Sequence, residues 1–254
     1  MATVLSSHSH NALLLCSAKT LGADDPARGF SSRRSICEFR WEKARPILGC
    51  KRRWRGLAAA AGAADSLMPG ISTDASVLDL SGNVIALTDL WKDRTAVVAF
   101  ARHFGCILCR KRADVLASKK EVFDAAGVSL VLVGPGTVDQ AKAFASQTQF
   151  PGEVYADPTH ASFDAFQFVS GASTIFNPKA AMRVMGAHLE GYRQDWGLSF
   201  EKDTVQRGGW QQGGIVIAGP GKDRLLYIHK DKEAGDEPDI KEVIAACCEK
   251  QNLS

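Results

Sequence analysis

The chain has no long apolar run. Its richest N-terminal stretch, Ala12-Leu13-Leu14-Leu15-Cys16, is too short to cross a bilayer, and no later segment approaches that length. A helical membrane span is therefore not expected. No Gly-x-Gly-x-x-Gly frame occurs; Gly134-Pro135-Gly136 reads as a strand-end turn and not as a phosphate loop. No Ser/His/Asp triad or paired-carboxylate motif stands out. Cysteine is sparse, with seven in 254 residues. Three of them, Cys16, Cys37 and Cys50, lie near the N-terminus. Cys106, Cys109, Cys247 and Cys248 remain, too few for a secreted disulfide scaffold.

Acidic residues are also missing from the start: none precedes Asp24. Residues 1–58 hold eleven Lys/Arg against four Asp/Glu, a net +7, and the remaining twenty and twenty-four give −4. The overall +3 averages a basic leader with a mildly acidic domain, so it does not argue for nucleic-acid binding. The leader is Ser- and Ala-rich, and turns Arg-rich at Arg33-Arg34 and Lys51-Arg52-Arg53-Trp54-Arg55. This is the composition of an organellar transit peptide, with the Met1-Ala2 start and the Ser content favouring chloroplast over mitochondrion. It lacks the basic start of a secretory signal. The alternative is a disordered basic tail. Residues 1–60 are read as this leader, cleaved between Cys50 and Ala64, and residues 70–254 as one domain.

The domain alternates strand and helix signals. Val77–Leu80 and Val84–Leu87 around Ser81-Gly82-Asn83 predict a hairpin, and Thr95–Ala101 a central strand. Leu108–Ala125 predicts one helix stopped by Gly127, followed by a second central strand at Val128–Val133. Helices at Asp139–Gln147 and Ala161–Phe166 flank a short strand at Val154–Ala156. A hairpin from Ile215 to Ile228 and a helix at Ile240–Cys248 close the chain. The expected class is α/β, a thioredoxin-like mixed sheet flanked by helices. Residues 171–214 exceed that scheme and read as an insertion. It carries Tyr192, Trp196 and Trp210, and either forms a functional lid or contains a helix at Pro178–Leu189 that simply packs.

Cys106-Ile107-Leu108-Cys109 follows the apolar run Ala96–Phe100. Two thiols three residues apart at the mouth of a helix share one face, so their sulfurs can reach bonding distance. The free N–H groups of the first turn favour thiolate, the species that attacks disulfides and peroxides. Arg102, His103, Arg110, Lys111 and Arg112 add positive charge around the pair. Inert packing thiols and half of a zinc site are the alternatives. Zinc would need two further ligands, and adjacent Cys247 and Cys248 diverge on a helix. No metal is expected. Cys247 and Cys248 are a second relay or a packed helix face.

The motif resembles known proteins. Peroxiredoxins carry Pro-x-x-x-Thr-x-x-Cys at this turn, which places Arg102 at the Pro, Cys106 at the Thr and Cys109 at the peroxide-attacking Cys. Gly208-Gly209-Trp210-Gln211-Gln212-Gly213-Gly214-Ile215-Val216-Ile217 and Val154-Tyr155-Ala156-Asp157-Pro158 are similar to the peroxiredoxin-like 2 family. These are thioredoxin-like proteins with an AhpC/TSA antioxidant-enzyme domain, and the leader matches the chloroplast branch. The resemblance covers about Ser76 to Glu249. It implies a thioredoxin fold and a redox-active C-x-x-C; some relatives reduce prostaglandin endoperoxides with NADPH and thioredoxin. The thioredoxin cis-Pro position falls on Gly213 or Gly214. Thioredoxin logic makes Cys106 the nucleophile, as the more exposed thiol nearest the helix start. Peroxiredoxin logic makes it Cys109. Helix electrostatics favour Cys106.

The expected function is a thiol-dependent oxidoreductase reducing a peroxide, endoperoxide or disulfide through Cys106 and Cys109. No bound cofactor is expected; reducing equivalents come from a thioredoxin-type donor or a small thiol. Arg102, His103, Gln211, Gln212 and Gly213 are the candidate substrate-binding or thiolate-tuning residues. The alternative is a non-catalytic redox sensor or binding protein of the same fold. One consequence is testable directly. A chain beginning at Asp65 is expected to unfold at the same urea midpoint as the full chain, because the acid-poor leader has no apolar periodicity to pack. A lower midpoint would mean that the leader packs on the domain.

Overall fold

The structure, a computed structural model, describes residues 74–206 and 209–248. The proposed leader and its cleavage site lie outside the described residues. The centre of the domain is built from strands that are almost wholly apolar. β3 (Thr95–Phe100) and β4 (Val128–Pro135) are parallel neighbours, and β6 (Gly214–Ala218) flanks β3 on its other side, antiparallel. Every residue of β3 and β6 is buried. Strands covered on both faces carry continuous apolar runs for this reason. Alternation sends Val97 and Ala99 to one core, and Ala96, Val98 and Phe100 to the other.

β1 (Ser76–Leu78), β2 (Val84–Ala86), β5 (Glu153–Asp157) and β7 (Leu225–Lys230) complete a seven-stranded sheet ordered β2-β1-β5-β4-β3-β6-β7. The β1–β2 hairpin forms as expected, with Val77 opposite Ile85. Its turn is held by Asp79, whose Oδ1 accepts from the Ser81 and Asn83 N–H groups at 2.8 Å each. On one face pack α1 (Ile107–Ala117), α2 (Lys120–Ala125), α3 (Val138–Thr148) and α8 (Ile240–Cys248). On the other lies α4 (Ala161–Ala165), in an aromatic cluster where Phe100 meets Phe163, Phe166 and Phe168 at ring centroids of 5.4, 5.2 and 5.0 Å.

One expectation needs correction. The single helix over Leu108–Ala125 is two, α1 and α2. The Ser118 hydroxyl donates back to the Val115 carbonyl at 2.7 Å, and the Lys119 N–H turns to Leu116 O at 3.0 Å. A side chain that competes for backbone partners breaks the ladder there. The insertion read over about residues 171–214 contains the helix expected at Pro178–Leu189. Its neck is the Ser170–Gln211 bridge, and residues 212–214 already lead into β6. Between the two lie α5 (Pro178–Leu189), α6 (Trp196–Ser199) and α7 (Lys202–Gln206). The Asn177 side chain caps α5, and Pro178 takes its first position. Cys247 is wholly buried in the core beside Val243, as a packing residue. Among the described residues no helix is long and apolar enough to cross a membrane.

One buried cation anchors α1 to the sheet. Arg112 Nη2 donates to both Asp231 carboxylate oxygens at 2.9 and 2.8 Å, and Nε to Glu237 Oε2 at 2.6 Å. Its Nη1 donates to Phe100 O and Gly214 O, both at 3.3 Å. Those two residues face each other across β3 and β6. Arg112→Met is expected to destabilise the fold by about 3–5 kcal/mol, because buried acids lose their cation. Urea denaturation followed by circular dichroism measures it; a loss below about 1 kcal/mol would mean that the network is dispensable.

Candidate active site

The cysteine pair sits where β3 ends and α1 begins. Phe104 pins the connecting turn. Its ring packs on Phe144 at 5.6 Å and fills the space above Gly134, where a Cβ would lie 2.5 Å from it. The Cys106 N–H closes the turn on His103 O at 3.1 Å. Cys106 is then the N-cap of α1, and Cys109 lies in its first turn.

Both thiols are reduced and buried, Cys106 at 1% and Cys109 at 4% exposure. The expectation that Cys106 is the exposed one is therefore corrected: insertion residues cover the helix start. Arg102 reaches both sulfurs. Its backbone N–H donates to Cys109 Sγ at 3.1 Å, and its Nη1 to Cys106 Sγ at 3.5 Å. Its Nε and Nη2 are spent on Gln211 O and Gly209 O, at 3.3 and 2.9 Å. A hydrogen bond from the Cys109 thiol, with the nearby Arg102 charge, holds the Cys106 thiol well below its ordinary value despite burial. Giving up that bond, together with burial, pushes Cys109 well above. Burial keeps His103 low and hence neutral, so Arg102 supplies the standing positive charge at the site.

The sulfurs differ in what they face. A cavity of about 560 Å³ is lined by Cys106 but not by Cys109. Arg102 and His103 line its base, and its walls carry Phe176, Trp196, Phe200 and Trp210. Trp196 and Phe200 stack at 5.7 Å, and Phe176 meets Trp210 at 5.6 Å. The insertion is bolted directly to the cysteine turn. The Asp195 N–H donates to Gly105 O at 3.0 Å, and a Cβ on Gly105 would lie 2.4 Å from Ser199 Oγ. Gln194 Oε1 accepts from the Ile107 N–H at 2.9 Å, taking one of the free donors at the helix start. Of these wall residues the sequence flagged only Trp196 and Trp210. Nothing local marks Gln194, Ser199, Phe176 or Phe200; Gln194, Ser199 and Phe200 reach the site with the docking of α6, and Phe176 packs there on Trp210.

Arg102 and His103 are brought to the cysteines as expected. Gln211, Gln212 and Gly213 are not part of the large cavity's wall. The Gln211 carbonyl holds Arg102, while its side chain is tied to Phe168, Val169 and its neighbour's carbonyl. Gln212 is wholly buried, and its Nε2 donates to Thr174 Oγ1 at 2.8 Å, closing the base of the insertion. Gly213 lies so close to Phe100 that a Cβ would meet its carbonyl oxygen at 1.9 Å. Glycine at this position is therefore required by contact with the strand. Among the described residues no group of three or more His, Cys, Asp or Glu could hold a metal ion.

A family profile described as AhpC/TSA antioxidant enzyme matches residues 115–233. The thioredoxin-like protein AAED1, chloroplastic, of Arabidopsis thaliana is 65% identical over 187 residues, covering 74% of this chain and 73% of its own. The chain belongs to the AhpC/TSA family, among its peroxiredoxin-like members. Prostamide/prostaglandin F synthase of Xenopus laevis is 31% identical over 65% of this chain and 80% of its own, and peroxiredoxin-like 2C of Bos taurus 29% over 66% and 74%. A structure of Xanthomonas campestris peroxiredoxin Q superposes with a TM-score of 0.51 at 14% identity, over 75% of this chain and 99% of that one. The fold is thus thioredoxin-like, of the peroxiredoxin kind. This peroxiredoxin-like chain is chloroplastic, as its 65% identical relative is.

Arg102 should set the reactivity of Cys106. Removing its positive charge disfavours the thiolate, so the thiol pKa rises in Arg102→Met. The thiolate fraction near neutrality then falls, and iodoacetamide labelling of Cys106 is expected to slow by up to about tenfold. Peptide mapping after timed alkylation checks this; an unchanged rate would mean that Arg102 only packs.

Proposed function

We propose that this peroxiredoxin-like chain is a thiol-dependent oxidoreductase in which Cys106 attacks the substrate and Cys109 resolves the product. The observation that carries the reading is that Arg102 serves both sulfurs, its guanidinium at Cys106 and its backbone N–H at Cys109, while only Cys106 lines the cavity. With a hydroperoxide, the Cys106 thiolate attacks one peroxide oxygen. The S–O bond forms, the O–O bond breaks, and the leaving alkoxide takes a proton to become the alcohol. The Cys109 thiol then attacks the Cys106 sulfenic acid, which forms the disulfide and releases water. An endoperoxide would open by the same displacement, leaving one oxygen as an alkoxide that takes a proton and the other bound to Cys106 as a sulfenate ester; the Cys109 thiol then displaces that second oxygen as an alcohol and forms the disulfide. With a disulfide substrate, the two thiols exchange through a mixed disulfide.

Two electrons must then come from outside, from a thioredoxin-type dithiol or from two small thiols. Membership of an antioxidant-enzyme family supports the redox reading. The aromatic walls favour an organic substrate over a small inorganic one. In an assay coupled to thioredoxin, thioredoxin reductase and NADPH, Cys106→Ser is expected to abolish turnover. Cys109→Ser should stop after one turnover and accumulate a mixed disulfide or sulfenic acid at Cys106. Mass spectrometry of the oxidised wild type should find Cys106 linked to Cys109. Both thiols recovered free, or a Cys106→Ser variant with undiminished turnover, would overturn the assignment.

A further inference from the structure

His103 has no role in the scheme so far. It is only 8% exposed, and its Nδ1 is buried with no hydrogen-bond partner. An unsatisfied buried nitrogen costs stability, and a catalytic role is one of the reasons a site keeps one. The ring lines the same cavity as Cys106, and a single turn carries both side chains, since the Cys106 N–H bonds to the His103 carbonyl. Burial lowers the His103 pKa, the Cys106 thiolate beside it pulls the other way, and the charges of Arg102 and Arg110 add to the lowering, so the net shift favours the neutral ring. A neutral imidazole carries one N–H donor.

Resting on the peroxide reading above, we propose that His103 is a catalytic hydrogen-bond donor whose ring N–H binds the oxygen that leaves when Cys106 breaks the O–O bond. Each neighbour is unsuited to that task in its own way. The guanidinium of Arg102 is engaged with Cys106 and with two carbonyls. The Ile107 N–H is taken by Gln194. His103 alone among these is buried, lines the cavity and has an unsatisfied ring nitrogen. In the step, the sulfur gives two electrons to the attacked oxygen, and the pair of the broken O–O bond moves onto the departing oxygen. The imidazole N–H stabilises that developing negative charge, and a proton from water completes the alcohol. A donor aimed at developing charge in a water-poor site acts more strongly on the transition state than on the bound substrate.

The test separates donation to a leaving group from tuning of the thiol. Oxidation of Cys106 is timed in the full chain with tert-butyl hydroperoxide, whose leaving alkoxide is strongly basic, and with peracetic acid, whose leaving acetate is not. Alkylation by iodoacetamide reports the thiolate alone. In His103→Phe the tert-butyl hydroperoxide rate should fall by about 10²-fold or more, while the peracetic acid and iodoacetamide rates stay within about threefold. His103→Gln, a second variant that keeps the ring's polarity without its geometry, should show the same split with a smaller loss. Three rates that fall together would make His103 a thiol-tuning or packing residue, and three unchanged rates would leave it no part in the step; either overturns the proposal. A wild-type thiol inert to both peroxides would instead sink the peroxide reading, and this proposal with it.

Discussion

The site depends on where the buried guanidinium of Arg112 holds α1. That group bridges the paired carbonyls of Phe100 and Gly214 to two acids on the chain beyond β7. A buried charge is stable only with its partners in place, so the cluster permits one position of α1 on the sheet. Cys109 lies three residues earlier on the same helix, and Cys106 three earlier still. The register of the ion cluster therefore sets the height of both sulfurs above β3. It also keeps Phe100 close to Gly213, where no side chain fits.

The second constraint is the docked insertion. A C-x-x-C at an uncovered helix start would present its first sulfur to solvent. Here Gly105 lets the backbone of Asp195 and Ser199 come within contact of the cysteine turn, and Gln194 takes a helix-terminal N–H. Both thiols are buried as a result, and the open space beside Cys106 is walled by aromatic rings. Burial alone raises a thiol pKa. The bond from Cys109 and the Arg102 charge reverse this at Cys106, and nothing of equal strength does so at Cys109. Two chemically identical residues thus acquire opposite characters from their surroundings.

The family relationship and the site geometry support different statements. The family profile begins beyond Cys109, so it identifies the domain without reaching the thiols. The relation to peroxiredoxin Q is one of fold, at 14% identity. The placement of a guanidinium, an imidazole and an aromatic cavity around one sulfur belongs to this chain's own structure. The proposed reaction rests on that placement.

Much of the architecture was legible in the sequence. Apolar runs bounded by turns marked β3, β4 and β6, because strands buried on both faces read as near-continuous apolar runs. The cysteine spacing and the adjacent Arg102 and His103 marked the site, since helical geometry relates residues three apart without tertiary help. What the sequence could not decide is what comes from far along the chain. Ser118 splits a helix through a hydroxyl bond that periodicity does not register. Gln194 and the aromatic walls lie about 70 to 100 residues from the thiols and meet them only when the insertion docks on the cysteine turn. Gln211, Gln212 and Gly213, candidates for substrate binding or thiolate tuning beside the motif, also have structural contacts: they hold Arg102, the insertion and the strand. Local pattern determined which residues could carry redox chemistry. Only long-range packing decided which sulfur faces the cavity, because burial and hydrogen-bond partners are properties of the folded chain and not of a motif.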